Sequence, residues 1–445
     1  MNGLRITVAE KGSDFVGLNI TPDARCVTFP MGYSIISSDN ADITPTLRSE
    51  ILLLVRKISD CEKLQGERVC RINTNDLRHD FPIGSILFLI EDFLNRGSYY
   101  TEKEKIMGDG LPGKISWSGT IKRIKPIVSE RGIAFLDFIV HKSRIKQDRL
   151  ITELHKYCVY KSFELLGFLY TAAMPDQGLI NEADVKKNRA YYVSFLDSKI
   201  SETHLEQNAE LFVHMKNVIQ NFDSEDTISS ATYGTNSFHT VWESMVNDVY
   251  GTVSKPEMER FYYPKSRWVW SSGERLKCNA PLRPDTIMID DSTGVKRCFI
   301  LDSKYYSYAA MKKDGVDASE ENSQVSVADH GSIPGTDSIQ KQITYAEFID
   351  KSKTPPRSEN SVKYKFDPDK IFNAFILPGT VYNENSIKYI GYAEADWNTQ
   401  ATEGYRKIHG FLLDTKTIMQ KRTSKDVRKM LAERILREIS SFSQK

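Results

Sequence analysis

Apolar and polar positions along this chain repeat with two different periods, and each change of period predicts an element. Helical spacing runs over residues 47–58 and 83–94, and Gly97 stands where the second of these should stop. From Lys114 to Val140 the pattern is extended, with a turn at Glu130-Arg131-Gly132, and a long helix is expected over 147–169. Helical spacing returns at 237–251, where Phe238, Trp242, Met245, Val246 and Val249 share one side and Gly251 is the terminator. Two extended runs, 371–378 and 387–393, are followed by an amphipathic helix over 424–439 that presents Val427, Met430, Leu431, Ile435 and Ile439 on one side. The polar stretch at 221–235 reads as a joint, which divides the chain into an α+β region over 1–225 and a second domain over 226–445.

The most informative segment lies in that second domain. Arg283-Pro284-Asp285 leads into Thr286-Ile287-Met288-Ile289, the cluster Asp290-Asp291-Ser292-Thr293-Gly294 turns the chain, and Cys298 to Leu301 leads out to Asp302-Ser303-Lys304-Tyr305-Tyr306. A hairpin about that turn sets Asp285 roughly opposite residues 300–302. Strand alternation puts Asp302 and Lys304 on one face. Beyond it, 311–335 is rich in Gly, Ser, Asp and Glu and is expected to be a mobile loop, either a flap beside the hairpin or a surface insertion. Residues 334–349 read as a loop entering a helix capped by Thr336 or Ser338. Ile339, Gln342 or Ile343, Ala346 and Ile349 line one side, leaving Gln340, Lys341 and Tyr345 to reach elsewhere.

Charges at the end of an apolar strand are costly unless paired or bound to an ion. Two close carboxylates repel and so form a seat for a divalent cation. Oxygen ligands suit Mg²⁺, which accepts one or two carboxylates together with phosphate oxygens. The expected chemistry is phosphoester hydrolysis, with Lys304 holding the attacking water or stabilising charge on the phosphorane. A solvated Asp/Lys pair is the competing reading. Glu243 borders the apolar side of the 237–251 helix, where it either reaches that site or bonds a backbone amide. His239, with no second His or Cys at metal spacing, reads as a first-turn residue.

Helix with Glu243, hairpin with Pro284-Asp285 and Asp302-Ser303-Lys304, then helix with Lys341-Gln342 and Tyr345 is an ordered set. It resembles the PD-(D/E)xK nuclease superfamily. With Gly113-Lys114-Ile115-Ser116-Trp117-Ser118-Gly119-Thr120-Ile121 and Glu153 to Tyr160, it resembles more narrowly the LlaJI-type restriction endonuclease family, related to the McrC nuclease subunit. The resemblance implies an α/β protein whose C-terminal core is a mixed sheet flanked by helices, and a Mg²⁺-dependent endonuclease acting on double-stranded DNA in a restriction system. It implies that Asp285 and Asp302 ligate Mg²⁺, that Ser303 lends a backbone carbonyl, that Lys304 positions water and that Glu243 supports them. Lys341, Gln342 and Tyr345 would face DNA. Partners implied are a McrB-like GTPase and a cognate DNA methyltransferase; a second copy of the chain is expected because cutting both strands needs two sites. The chain carries no phosphate-binding Gly-x-x-x-x-Gly-Lys-Ser/Thr loop, so a motor would be another chain. A repair or transposition nuclease, and a non-catalytic binding subunit on the same scaffold, are the rival readings.

Composition changes this picture only locally. With 445 residues, 40% hydrophobic, the chain can bury more than one core, and its net charge of +1 gives no global field for nucleic acid. Residues 114–150 hold nine Lys/Arg against three acids, a balance of +6, and 416–445 hold nine against three. Either stretch could follow a phosphate backbone or be a solvated surface, and the N-terminal region is assigned to DNA or partner contact. Six cysteines lack CxxC spacing, no signal peptide opens the chain and no apolar run nears spanning length. A cytoplasmic protein without membrane contact is expected.

Overall fold

The computed structural model describes residues 4–21, 24–66, 82–110, 113–130, 132–146, 150–170, 173–221, 231–278, 280–306, 334–357, 363–381, 386–398 and 403–442. The chain is mixed α/β and divides into two compact units, Met1–Arg78 with Thr232–Lys445, and His79–Ala231. The expected region 1–225 is therefore split, and its first part belongs to the unit that carries the hairpin. Of the expected joint, 222–230 lie outside the described residues, as do 311–333 of the expected loop.

Strand pairing explains the split. The first unit contains β1 (Leu4–Val8), β2 (Val16–Ile20), β3 (Arg25–Phe29), β4 (Ser38–Ala41), the helix α1 (Pro45–Gly66) and β5 (Ala231–Thr235). These strands form one sheet in the order β5-β2-β3-β1-β4, with β1 parallel to β3. A strand at 231–235 thus extends a sheet begun at residue 4 by pairing along its β2 edge.

The same unit continues with α2 (Phe238–Tyr250), α3 (Lys255–Phe261), β6 (Arg267–Val269), β7 (Arg275–Lys277), β8 (Thr286–Asp290), β9 (Arg297–Ser303) and α4 (Thr336–Lys351). It ends with β10 (Ile371–Gly379), β11 (Ile387–Ala393), β12 (Ile408–Asp414), α5 (Thr415–Gln420) and α6 (Lys425–Phe442). The second sheet runs β8-β9-β10-β12-β11, antiparallel at both edges and parallel through β9, β10 and β12. Every residue of β10 and β12 is buried, as expected of strands covered on both faces. β12, which the sequence pattern leaves unassigned, lies between the two later strands that it does predict. Its Ile408-His409-Gly410 opening conceals a short buried strand behind two poor strand formers.

Packing sets which side of the sheet carries the chemistry. On α4, Tyr345, Ala346 and Ile349 pack against Ile287, Cys298, Ile300 and Ile371, and Ile343 packs with Phe375, Leu377, Ile408 and Leu412. Asp302 lies two residues beyond Ile300 and opposite Phe375, so it continues this covered face to its end. α2 runs along β8 and β9, and its buried Trp242 donates Nε1–H to Ile376 O at 3.3 Å. Gly251 ends α2 in an extended conformation, not a left-handed one. A Cβ there would lie 2.5 Å from Asn247 O. The N-cap of α4 is Gly335 rather than Thr336 or Ser338.

The other unit, described alone, packs the helices Ile83–Arg96, Leu150–Leu166, Glu182–Glu202 and Glu206–Asn221 beside a small antiparallel sheet of Glu102–Asp109, Ile139–Lys146 and Lys114–Ile115. Gly97 caps the first helix with φ of 64°. Inside the stretch that reads as extended, Trp117–Arg123 is a short helix, because Ser116 Oγ accepts from Gly119 N at 3.3 Å and caps it.

One loop binds the two sheets of the first unit. Met31 N donates to the phenol oxygen of Tyr305 at 2.8 Å, and Met31 O accepts from Thr415 Oγ1 at 3.0 Å, all buried. Gly32, with φ of 73°, lies so close to the end of β10 that a Cβ would come within 2.6 Å of Gly379 Cα. Tyr305→Phe leaves the Met31 amide unpaired in a dry site. It should lower unfolding free energy by about 1–3 kcal/mol in a urea titration.

Candidate active site

Backbone pairing brings the hairpin's charged residues together. The β8–β9 register, Thr286 with Leu301 through Asp290 with Arg297, extends by one position to set Asp285 beside Asp302. Ser303 N–H donates to Asp285 Oδ2 at 2.8 Å and fixes that carboxylate. Lys304 N–H donates to Ile376 O at 2.9 Å, so the ladder runs on past β9 and Lys304 keeps the side that Asp302 occupies. Lys304 Nζ stands 2.7 Å from Asp302 Oδ2. That contact is an ion pair without the angles of a directed hydrogen bond, so the buried oxygen has no hydrogen-bond partner.

Glu243, from α2, shares this electrostatic neighbourhood. Burial first, then the Asp302 charge, push its carboxyl up to about 7, against the opposing pull of Lys304. Asp285 is raised well above the ordinary carboxylate range by burial, Asp302 and Glu243, although the Ser303 amide and Lys304 work the other way. Burial alone would lower Lys304; the neighbouring carboxylates, Asp302 foremost, outweigh it and hold the ammonium charged. Three carboxyl groups and one ammonium in a poorly hydrated place favour either bound protons or a bound cation.

The helix that follows behaves differently from the sequence-based expectation. Tyr345 is buried, donating its hydroxyl to Arg283 O at 3.0 Å, and burial together with Asp302 and Asp285 raises its phenol. It closes the floor behind the carboxylates instead of reaching outward. Gln342 is wholly buried and its side-chain amide has no hydrogen-bond partner on either atom. Only Lys341 of the three is exposed. Ser303 contributes its amide to Asp285, and its buried hydroxyl is unbonded. Sequence reasoning misses Trp242 and Tyr305 as supports, since each reads as an ordinary core aromatic until its polar atom is placed.

The family model for the LlaJI restriction endonuclease matches residues 15–401. The chain belongs to the LlaJI restriction endonuclease family. The match includes all four charged residues of the site. A Bacillus subtilis (strain 168) relative described as "Type II restriction enzyme BsuMI component YdjA" is 26% identical over 317 residues, covering 67% of this LlaJI-family chain. The chain spans only 57% of that relative's length. Among solved structures, a half-complex from the tetradecameric assembly of Thermococcus gammatolerans McrB AAA+ hexamers with bound McrC shows 12% identity. The TM-score is 0.36, with 95% of this chain and 83% of that one covered, a likeness too weak to define a fold. No helix among the described residues is long and apolar enough to cross a membrane.

Among the described residues no set of three or more His, Cys, Asp or Glu side chains is drawn together closely enough to hold a metal by itself. The donors present are carboxylate oxygens, one of them buried without a hydrogen-bond partner. That set fits Mg²⁺, which needs one or two carboxylates and completes its shell with water and phosphate oxygens.

A pH effect follows. A carboxyl whose folded value is raised contributes stability that is full below its unfolded value and is lost as pH climbs through the folded one, here from about 4.5 to about 7 for Glu243. Glu243→Gln should flatten this decline in cation-free protein and leave the variant roughly 1–3 kcal/mol more stable than the parent at pH 8. Equal thermal unfolding of the two proteins across pH 4–8 would show that Glu243 is not strained by its neighbours.

Proposed function

We propose that this chain is the cleavage component of a restriction system, a Mg²⁺-dependent endonuclease of the PD-(D/E)xK type acting on double-stranded DNA. The observation that carries the reading is the convergence of Asp285, Asp302 and Lys304 at adjoining strand ends, with Glu243 alongside. Membership of a restriction endonuclease family and the Bacillus subtilis relative described as a restriction enzyme component support it.

Each residue has a distinct part. Asp285 and Asp302 would hold the cation, which supplies Lewis-acid polarisation of the phosphodiester and activation of water. The Ser303 amide keeps the Asp285 carboxylate from rotating away. Lys304, held charged, lies where it can stabilise negative charge building on the phosphate oxygens. Glu243, titrating near neutrality, is suited to accept a proton from the attacking water. Tyr345 and the α4 face close the site from behind and keep its dielectric low, which strengthens every one of these interactions.

Cutting both strands needs two such sites, supplied by a second copy or by successive encounters. A McrB-like GTPase and a cognate DNA methyltransferase would complete the system in the cytoplasm, the compartment of its substrate. Supercoiled plasmid should be cut by the purified chain in Mg²⁺, alone or with the GTPase and GTP, and left intact in EDTA. Asp302→Ala and Lys304→Ala should each slow cutting by at least about 100-fold, the scale of losing one preorganised charge-stabilising group. Variants that keep the parent's circular dichroism and cut at its rate would remove these residues from the reaction; a parent that binds duplex DNA without cutting it would leave a binding subunit on a nuclease scaffold.

A further inference from the structure

Just ahead of Asp285 the chain forms a two-stranded ribbon from β6 and β7. Arg267 pairs with Lys277, Trp268 with Leu276 and Val269 with Arg275. Trp270 N–H to Glu274 O and Gly273 N–H to Trp270 O, each 2.9 Å, close its end. Every residue from 265 to 278 is exposed, so among the described residues neither face of the ribbon is buried against the unit that carries it. Directly opposed residues share a face. Arg267, Val269, Arg275 and Lys277 therefore lie on one side, and Trp268, Trp270 and Leu276 on the other, where the two indoles meet edge to face at 5.9 Å.

Such a ribbon is hard to explain as a folding element. Isolated hairpins are marginal in water, and this one leaves Trp268 59%, Trp270 52% and Leu276 60% exposed. Its charge is also unlike the whole. Lys265, Arg267, Arg275 and Lys277 against Glu274 give +3 over fourteen residues, in a chain whose net charge is +1. Among the described residues none of these five side chains has an ion-pair partner. Unneutralised cations on a projecting ribbon call for a polyanion, and the major groove of duplex DNA admits a two-stranded β-ribbon.

We propose that the β6–β7 ribbon is the arm with which this chain docks on duplex DNA, its Arg/Lys face along a phosphate backbone and its indole pair against the groove wall. This rests on the reading that the site cleaves DNA and adds how the duplex is held. Seven residues lie between Lys277 and Asp285, so at most ~29 Å of extended chain joins them. A phosphate on the ribbon thus lies within about one helical turn, ~34 Å, of the bond presented to the carboxylates.

The test measures binding of a fluorescently labelled duplex in EDTA by anisotropy across a salt series, beside plasmid cleavage in Mg²⁺. The triple variant Arg267→Ala, Arg275→Ala, Lys277→Ala should reduce the slope of log affinity against log salt by about 3 and weaken binding roughly 100-fold near 0.1 M salt. Trp268→Ala with Trp270→Ala should weaken it about 10-fold and remove a duplex-dependent change in tryptophan emission. Because the ribbon has no core, both variants should keep the parent's melting temperature. Unchanged affinity and slope in the triple variant, with the parent still cutting, would overturn the arm and spare the nuclease. A parent that neither binds nor cuts duplex overturns both. Intact DNA binding with a changed oligomeric state, or with lost binding to anionic vesicles, would assign the ribbon to another copy or to a lipid surface and end the proposal.

Discussion

Like charge confined where water is scarce is the constraint on which this molecule is organised. Asp285 and Asp302 are forced together by backbone pairing, since residues 286–290 and 297–301 leave their carboxylates no other register. Glu243 adds a third acid from a helix whose buried Trp242 is tied to the neighbouring strand. Among the described residues, Lys304 offsets them locally. Such an arrangement is expensive in an empty protein, and it persists because the surrounding sheet and helices over-determine it.

That surrounding framework has a clear hierarchy. The two buried central strands, β10 and β12, hold the sheet; α4 covers one face and supplies Tyr345 behind the carboxylates. Asn373, in the middle of β10, donates to Gln342 O and Tyr405 O and so stitches α4 to the segment that enters β12. The Gln342 amide beside this stitch has no partner at all, a cost of about 1–3 kcal/mol carried within the floor of the site.

Much of this was legible in the residue pattern, and the rest was not for identifiable reasons. The β8–β9 hairpin, the helix bearing Glu243 and the helix over 336–351 follow from period and turn chemistry, which are local properties. β12 did not, because His409 and Gly410 break an apolar run whose burial is decided by distant strands. Tyr345, which the pattern leaves to reach elsewhere, packs inward, and both Gln342 and Ile343, between which the pattern does not choose, are buried. An apolar stripe of Ile339, Ile343, Ala346 and Ile349 leaves the phase of its polar neighbours open, and packing on Ile287 and Ile300 settles it. The attachment of residues 4–41 to the unit that contains the site depends on pairing between segments about two hundred residues apart, which carries no local signature.

That long-range attachment bears on how the protein comes off the ribosome. Strands β1–β4 emerge well before Ala231–Thr235, for which their sheet waits, and the Met31 loop waits for Tyr305 and then Thr415. The intervening His79–Ala231 unit has its own helices and sheet and can assemble in the meantime. The Asp285 and Asp302 carboxylates therefore gain their final surroundings only once the segment that carries Thr415 has been synthesised, long after the hairpin itself has left the ribosome.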